Sequence, residues 1–118
     1  MLPKKFRLKT VDFYRNPQKP VKLAFIFFLI MLKRNQFQNP RFCINVPKAL
    51  DKRSVYRHRT RRIATEAIRK YLDGLDINVD VFIKMKKIIN QDNKDLFYRE
   101  FERVFQREKL YSVFDRFL

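Results

Sequence analysis

The sequence is short of the residues that build most enzyme sites. Its 118 residues include one glycine (Gly74), one cysteine (Cys43), one histidine (His58) and no tryptophan. One glycine leaves no room for a glycine-rich phosphate loop. One cysteine excludes an intrachain disulfide, which fits the cytoplasm as compartment. One cysteine with one histidine also excludes a tetrahedral Cys/His zinc site. A paired-histidine acid–base mechanism is impossible, and the sequence offers His58 no evident partner for general-base work. Cys43 lies in an apolar stretch and reads as a small core residue. Long apolar runs are missing too. The most apolar segment, Leu23 to Leu32, has ten residues, about half of what a bilayer span needs. More than twenty residues precede it and Lys33-Arg34 follow, so it does not read as a signal-peptide core.

Acidic residues are the next shortage. Twelve Asp and Glu face 28 Lys and Arg, for a formal net charge of +16. Such an imbalance costs stability through self-repulsion, so a polyanion is the expected partner, nucleic acid before anionic membrane. Asp73, Asp76 and Asp80 are the closest carboxylate group and the one place for a protein-borne Mg²⁺. They read instead as a helix-end loop plus one strand residue. The chain is nonetheless 46% hydrophobic, enough to fold as one domain over residues 1–118 without staples.

The pattern along the chain is helix, strands, helix, strand, helix, which predicts an α+β sandwich with a small sheet. Residues 10–16 form a short helix that carries Phe13 and Tyr14 and ends before Pro17. Residues 22–31, rich in aromatic and branched side chains, read as a strand buried on both faces. Residues 41–46 alternate and read as a second strand, closed by Pro47. Residues 54–72 have helical periodicity, with Tyr56, Thr60, Ile63, Ala67 and Tyr71 on one stripe, widened by Ala64 and Ile68. Gly74 follows where a left-handed cap is wanted. Residues 79–85 form a further strand, expected parallel to 41–46 across the intervening helix. A last helix starts near Asp92 or Asn93 and carries Phe97, Phe101, Val104 and Phe105.

Two groupings bear on function. Arg57-His58-Arg59-Thr60-Arg61-Arg62, preceded by Lys48, Lys52 and Arg53 and followed by Arg69, concentrates positive charge on one helix. Like charges at i and i+4 repel, a cost that makes sense when a phosphate backbone neutralises them. Aromatic residues (Phe6, Phe13, Tyr14, Phe25, Phe27, Phe28 and Phe42) cluster in the first half. Most belong in a core, but one sheet face can line an open cleft where unpaired bases stack.

These residues, taken in order, resemble the bacterial ribonuclease P protein subunit nearly end to end. The resemblance is carried by Leu2-Pro3-Lys4-Lys5-Phe6-Arg7-Leu8-Lys9 with Asp12-Phe13, and by Arg41-Phe42-Cys43-Ile44-Asn45-Val46-Pro47-Lys48. Val55 to Arg69, Asp80-Val81-Phe82-Ile83 with Lys86-Lys87, and the Phe97–Phe105 helix complete it. It implies an α-β-β-β-α-β-α two-layer sandwich with a small mixed sheet, a ribosomal protein S5 domain 2-like topology. It also implies a left-handed crossover through the arginine helix, against the usual hand. Departures from the family pattern are His58 for an asparagine, Thr65 for a basic residue, Ala49 for a lysine, and Pro17 near a second aromatic.

The function implied is that of a non-catalytic protein subunit of an endoribonuclease whose RNA subunit carries out Mg²⁺-dependent removal of the 5′ leader of precursor tRNA. The Mg²⁺ would be held mainly by that RNA. The implied partners are ribonuclease P RNA and precursor tRNA, with no membrane partner, and the free protein is expected to be monomeric. The expected RNA-binding set is Lys48, Lys52, Arg53, Arg57, His58, Arg59, Arg61, Arg62 and Arg69. The expected leader cleft is Phe13, Ile26 or Phe28 on the strand, Arg57 and Arg61. A general RNA-binding domain of ribosomal or RNA-chaperone type is the alternative reading. A stand-alone metal nuclease and a membrane-surface protein are the other rivals.

Overall fold

A computed structural model describes residues 2–37, 39–72 and 78–105. The elements are α1 (Thr10–Arg15), β1 (Val21–Ala24), β2 (Phe28–Arg34), β3 (Arg41–Asn45), α2 (Ser54–Arg69), β4 (Val79–Met85) and α3 (Lys94–Phe105). Short 3₁₀ turns precede α1 and α2, at Lys4–Phe6 and Lys48–Leu50. The proposed cap Gly74 and the carboxylates Asp73 and Asp76 lie outside the described residues.

The sheet has the order β1-β2-β4-β3. β1 and β2 are antiparallel, β2 and β4 are antiparallel, and β3 and β4 are parallel, as expected for strands joined through a helix. The outer edge of β3 is partly covered by the N-terminal segment, where Leu8 N–H donates to the Phe42 carbonyl at 2.9 Å.

The run read as one strand over 22–31 is in fact a hairpin. Its turn, residues 25–27, contains no glycine and is held from outside. Glu100 of α3 accepts hydrogen bonds from the backbone N–H groups of Ile26 and Phe27, at 3.0 and 2.8 Å. Lys86 donates its N–H to the Phe27 carbonyl and its ammonium to the Phe25 carbonyl. These side-chain partners lie 61 to 74 residues away in sequence, so the local pattern could not announce the turn. The predicted burial on both faces also fails for β1, an edge strand that alternates half-buried and exposed residues.

The two faces of the sheet differ. Phe28, Ile30, Leu32, Val81, Ile83 and Met85 join one apolar core with Ala64, Ala67 and Ile68 of α2 and Phe97, Phe101 and Phe105 of α3. The α3 residues recur at i, i+4 and i+8, so they share one side of the helix. Phe101 and Phe105 stack at 4.2 Å, and Phe28 meets Phe97 and Phe101 edge-on at about 6 Å. The opposite face carries α1 instead. Phe13 packs on Phe82 of β4 at 5.2 Å, and Leu8, Met31 and Cys43 complete a small second cluster. The architecture is therefore the expected α+β sandwich, with one short helix added behind the sheet.

Charge is buried under α1. Asp80 is fully buried and takes two hydrogen bonds from Arg41, both at 2.8 Å, and one from Asn35 at 2.9 Å. Lys33 is buried too. Its ammonium donates to the carbonyls of Phe13 and Asn16, at 2.7 and 3.1 Å, and lies 4.3 Å from the Phe13 ring centre. A cation placed on the last carbonyls of a helix satisfies them and complements the helix dipole. Lys33 thereby ties α1 to the sheet.

Candidate nucleic-acid interface

Parity along the strands decides which side chains face outward. On the side carrying α1, one cross-strand row is Lys22, Met31, Phe82 and Cys43, and the next is Ala24, Leu29, Lys84 and Asn45. α1 lies over the first row, with Phe13 on Phe82 and Thr10 Oγ1 3.3 Å from Cys43 Sγ. The second row stays uncovered enough that Ala24 and Lys84 are exposed and Leu29 and Asn45 half-buried. Tyr14, 63% exposed, stands at the edge of α1 with its ring against those of Phe13 and Phe82. The result is an open strip of aliphatic, aromatic and basic groups.

α2 flanks this strip beyond β3. Its buried stripe is Thr60, Ala64, Ala67 and Ile68, close to the stripe expected from periodicity. Thr60 is fixed further by accepting the Ile89 N–H at 3.0 Å. Burial of that stripe turns His58, Arg59, Arg61, Arg62 and Arg69 outward, and all five are exposed. Lys48, Lys52 and Arg53 are exposed at the helix entrance. Arg53 donates to both oxygens of Asp51 at 3.0 Å, and this bond holds the Asp51 carboxyl below its ordinary pKa. Its guanidinium also lies over Tyr56 at 4.1 Å. Arg69 pairs with Glu66. Exposed pairs of this kind are worth little and are easily exchanged for another anion.

Between the strip and the arginines lies a shallow depression of about 220 Å³, bounded by Phe42, Cys43 and Ile44 of the sheet and Arg61 and Thr65 of α2. Burial pushes the Cys43 thiol pKa up, while the Thr10 contact and the charge of Arg61 oppose that shift. Arg61 thus projects its field onto the sheet edge. Arg57 is half-buried, and its shielded Nε–H makes no hydrogen bond among the described residues.

The expected RNA-binding residues therefore share α2 and its entrance, but the expected leader cleft needs correction. Phe28 is fully buried on the opposite face, against α3. Ile26 sits in the hairpin turn, exposed but off the strand face. Phe13 is buried between α1 and Phe82 and does not open onto the strip. Tyr14 belongs to the aromatic group the sequence pointed to, whereas Leu29, Met31, Lys84 and Asn45 were not singled out. Strand alternation places Leu29 with Met31, but only the packing of the helices shows which face stays open.

Of the expected carboxylate group only Asp80 is described. No group of three or more His, Cys, Asp or Glu side chains converges among the described residues. Both Asp80 oxygens are occupied by Arg41, one also by Asn35. No helix among the described residues is long and apolar enough to cross a membrane.

Comparison with known proteins identifies a family and a shared fold. Residues 2–109 match the family described as Ribonuclease P. The Ribonuclease P protein component of Vibrio vulnificus is 30% identical over 105 residues, covering 88% of each chain. That of Histophilus somni is 36% identical over 81 residues, covering 68% of this chain and 67% of the other. Among solved structures, a mutant Staphylococcus aureus RNase P protein with defective mRNA degradation activity superposes with a TM-score of 0.70. It covers 90% of each chain at 23% identity and so shows a shared fold.

Proposed function

The chain belongs to the ribonuclease P protein family, and from that membership we propose that it binds the catalytic RNA and holds the 5′ leader of precursor tRNA. Membership carries a role in tRNA processing within an endoribonuclease complex. The observation that supports the finer reading is the adjacency of two surfaces. Exposed arginines line α2, and beside them runs an open sheet strip with a tyrosine at its rim.

Each surface has a distinct task in this reading. Arg59, Arg61 and Arg62, with Lys48 and Lys52, neutralise phosphates of the folded RNA through charge-assisted, often bidentate contacts. Arg57 brings an Nε–H that has no acceptor among the described residues. The strip of Leu29, Lys84 and Tyr14, bordered by the half-buried Met31 of the row under α1, is narrow and mixed in character. Such a surface suits one unpaired strand, with bases on apolar and aromatic groups and backbone on lysine. Hydrolysis falls to the RNA subunit. In this reading the Mg²⁺ it requires is held mainly by that RNA.

Reconstitution with the cognate RNA subunit tests this. The protein should raise cleavage of precursor tRNA at low Mg²⁺ concentration, and the protein alone should cleave nothing. No stimulation by the protein, or cleavage without RNA, would refute the reading.

A further inference from the structure

α1 divides its face of the sheet in two. The open strip lies on one side. On the other, where β3 and β4 begin, is a depression of about 460 Å³. Asn16, Pro17 and Gln18 form one wall, and Asn35, Phe37 and Arg41 form the other. Neither the arginines of α2 nor the strip reaches it.

Its floor is built in an unusual way. Phe37 is 50% exposed, although it is large and apolar. The Arg41 guanidinium lies over its ring at 4.3 Å. The charge of Arg41 is already matched by Asp80 through two hydrogen bonds, so the guanidinium serves as a flat backing and not as a phosphate clamp. Phe37 is also held in place. Its N–H donates to Asn35 Oδ1 at 2.9 Å, and Asn35 Nδ2 donates to Asp80 Oδ1 at 2.9 Å. The Phe37 backbone is thus tied through one side chain to a buried carboxylate, and the Arg41 guanidinium backs one face of its ring. An aromatic fixed in this way loses little freedom when something stacks on it.

The facing wall presents Asn16, Pro17 and Gln18, and the charged Asp12 and Arg34 also line the slot. Asn16 is oriented by donating to the Arg34 carbonyl at 3.0 Å and by accepting the Gln18 N–H at 2.9 Å. Pro17 adds a small apolar surface between two amide-bearing residues. The amides of Asn16 and Asn35 are spent on holding the walls; that of Gln18 carries a donor and an acceptor side by side, which matches the edge of a nucleobase. A flat aromatic–guanidinium floor with an amide at its edge suits a planar heterocycle. It suits a bare phosphate poorly, because its floor cation is already paired.

We propose that this slot takes an unpaired RNA nucleobase stacked on Phe37, with the Gln18 amide near its edge. The proposal rests on the RNA-binding reading above and extends it, since the slot lies across α1 from the open strip and makes a second, separate contact. Bases of a single strand stack on exposed aromatics with little sequence preference.

The chain has no tryptophan, so Phe37→Trp places a single fluorophore on the floor. Titration of this full-length variant with a short single-stranded oligoribonucleotide should quench its emission. The same oligonucleotide made abasic throughout should not. Phe37→Ala should weaken oligonucleotide binding about tenfold, and Phe37→Tyr should stay within about twofold of the parent, as expected for loss and retention of one stacked base. Equal quenching by the abasic strand, or unchanged affinity in Phe37→Ala, overturns the proposal. Tight saturation by a free nucleoside monophosphate would assign the slot to a mononucleotide and overturn the RNA assignment. Arg62→Ala serves as the control. If it weakens binding while Phe37→Ala does not, the slot is wrong and the RNA-binding reading stands. If neither variant weakens binding, both are wrong.

Discussion

The two faces of the sheet solve opposite problems with the same four strands. The face under α2 and α3 is packed with Phe28, Ile30, Leu32, Val81 and Ile83, and its stability comes from apolar burial. The face under α1 buries Lys33 and Asp80, keeps Met31 and Leu29 half-covered, and leaves Lys84 in solvent. One face is sealed and the other is left partly open, with its charges individually satisfied. The difference shows how so basic a domain holds together. In the proposed reading the binding groups lie on the open face and on α2, while the phenylalanines of α3 supply the cohesion.

Substitutions can break this contrast in order of size. Phe101→Ala removes the ring that touches Phe28, Phe97, Tyr71 and Phe105, and should cost about 4 kcal/mol in urea unfolding. A loss below about 1 kcal/mol would mean the sealed face is not the source of stability. Asp80→Ala strands Arg41 and Asn35. With the Arg41 side chain 18% exposed, the cost should be about 3 kcal/mol, the low end for a broken buried pair. Lys33→Met leaves the Phe13 and Asn16 carbonyls without their donor and should cost about 1–2 kcal/mol. Hydrogen exchange in that variant should be raised in α1 and not in α3.

Arg59→Ala and Arg62→Ala belong to the other side of the contrast. Each should change stability by less than about 0.5 kcal/mol. Each should also reduce the salt dependence of RNA binding by about one unit for every phosphate left without its cation. An unchanged slope in both would show that α2 does not face RNA. The smallest effect concerns Cys43. Burial raises its thiol pKa, so iodoacetamide should label it more slowly at about pH 8.5, near the ordinary thiol pKa, than a thiol in the unfolded chain. The direction also fixes the pH dependence. The folded state favours the neutral thiol, so this contribution is intact below the ordinary thiol pKa and fades as pH rises through the raised one.

Much of this was legible in the sequence, for physical reasons that differ by region. α2 obeys a helical period whose apolar stripe must be buried, so Thr60, Ala64, Ala67 and Ile68 could be read and the outward arginines followed. α3 announced itself by phenylalanines at i, i+4 and i+8. The parallel pairing of β3 and β4 followed from the helix between them. The hairpin at residues 25–27 was not legible, because Glu100 and Lys86 hold it from far along the chain. Phe28 and Ile26 were expected in the cleft from their place in the family pattern, but Phe28 is buried against α3, and Leu29 and Met31 lie on the face that carries α1. Alternation separates the two sets of side chains and does not say which face a helix seals. Distance along the chain also hid Phe37, whose position depends on Asn35 reaching a buried Asp80.

The central claim is that the open strip beside the arginine helix takes a single-stranded leader, and that the arginines alone do not account for recognition. Its most direct test compares the affinities of the complex reconstituted with its cognate RNA subunit for precursor and mature tRNA at one salt concentration. The account predicts tighter binding of the precursor, with the difference abolished by Leu29→Glu and Met31→Glu and retained in Arg62→Ala. Equal affinity for the two tRNAs would contradict it.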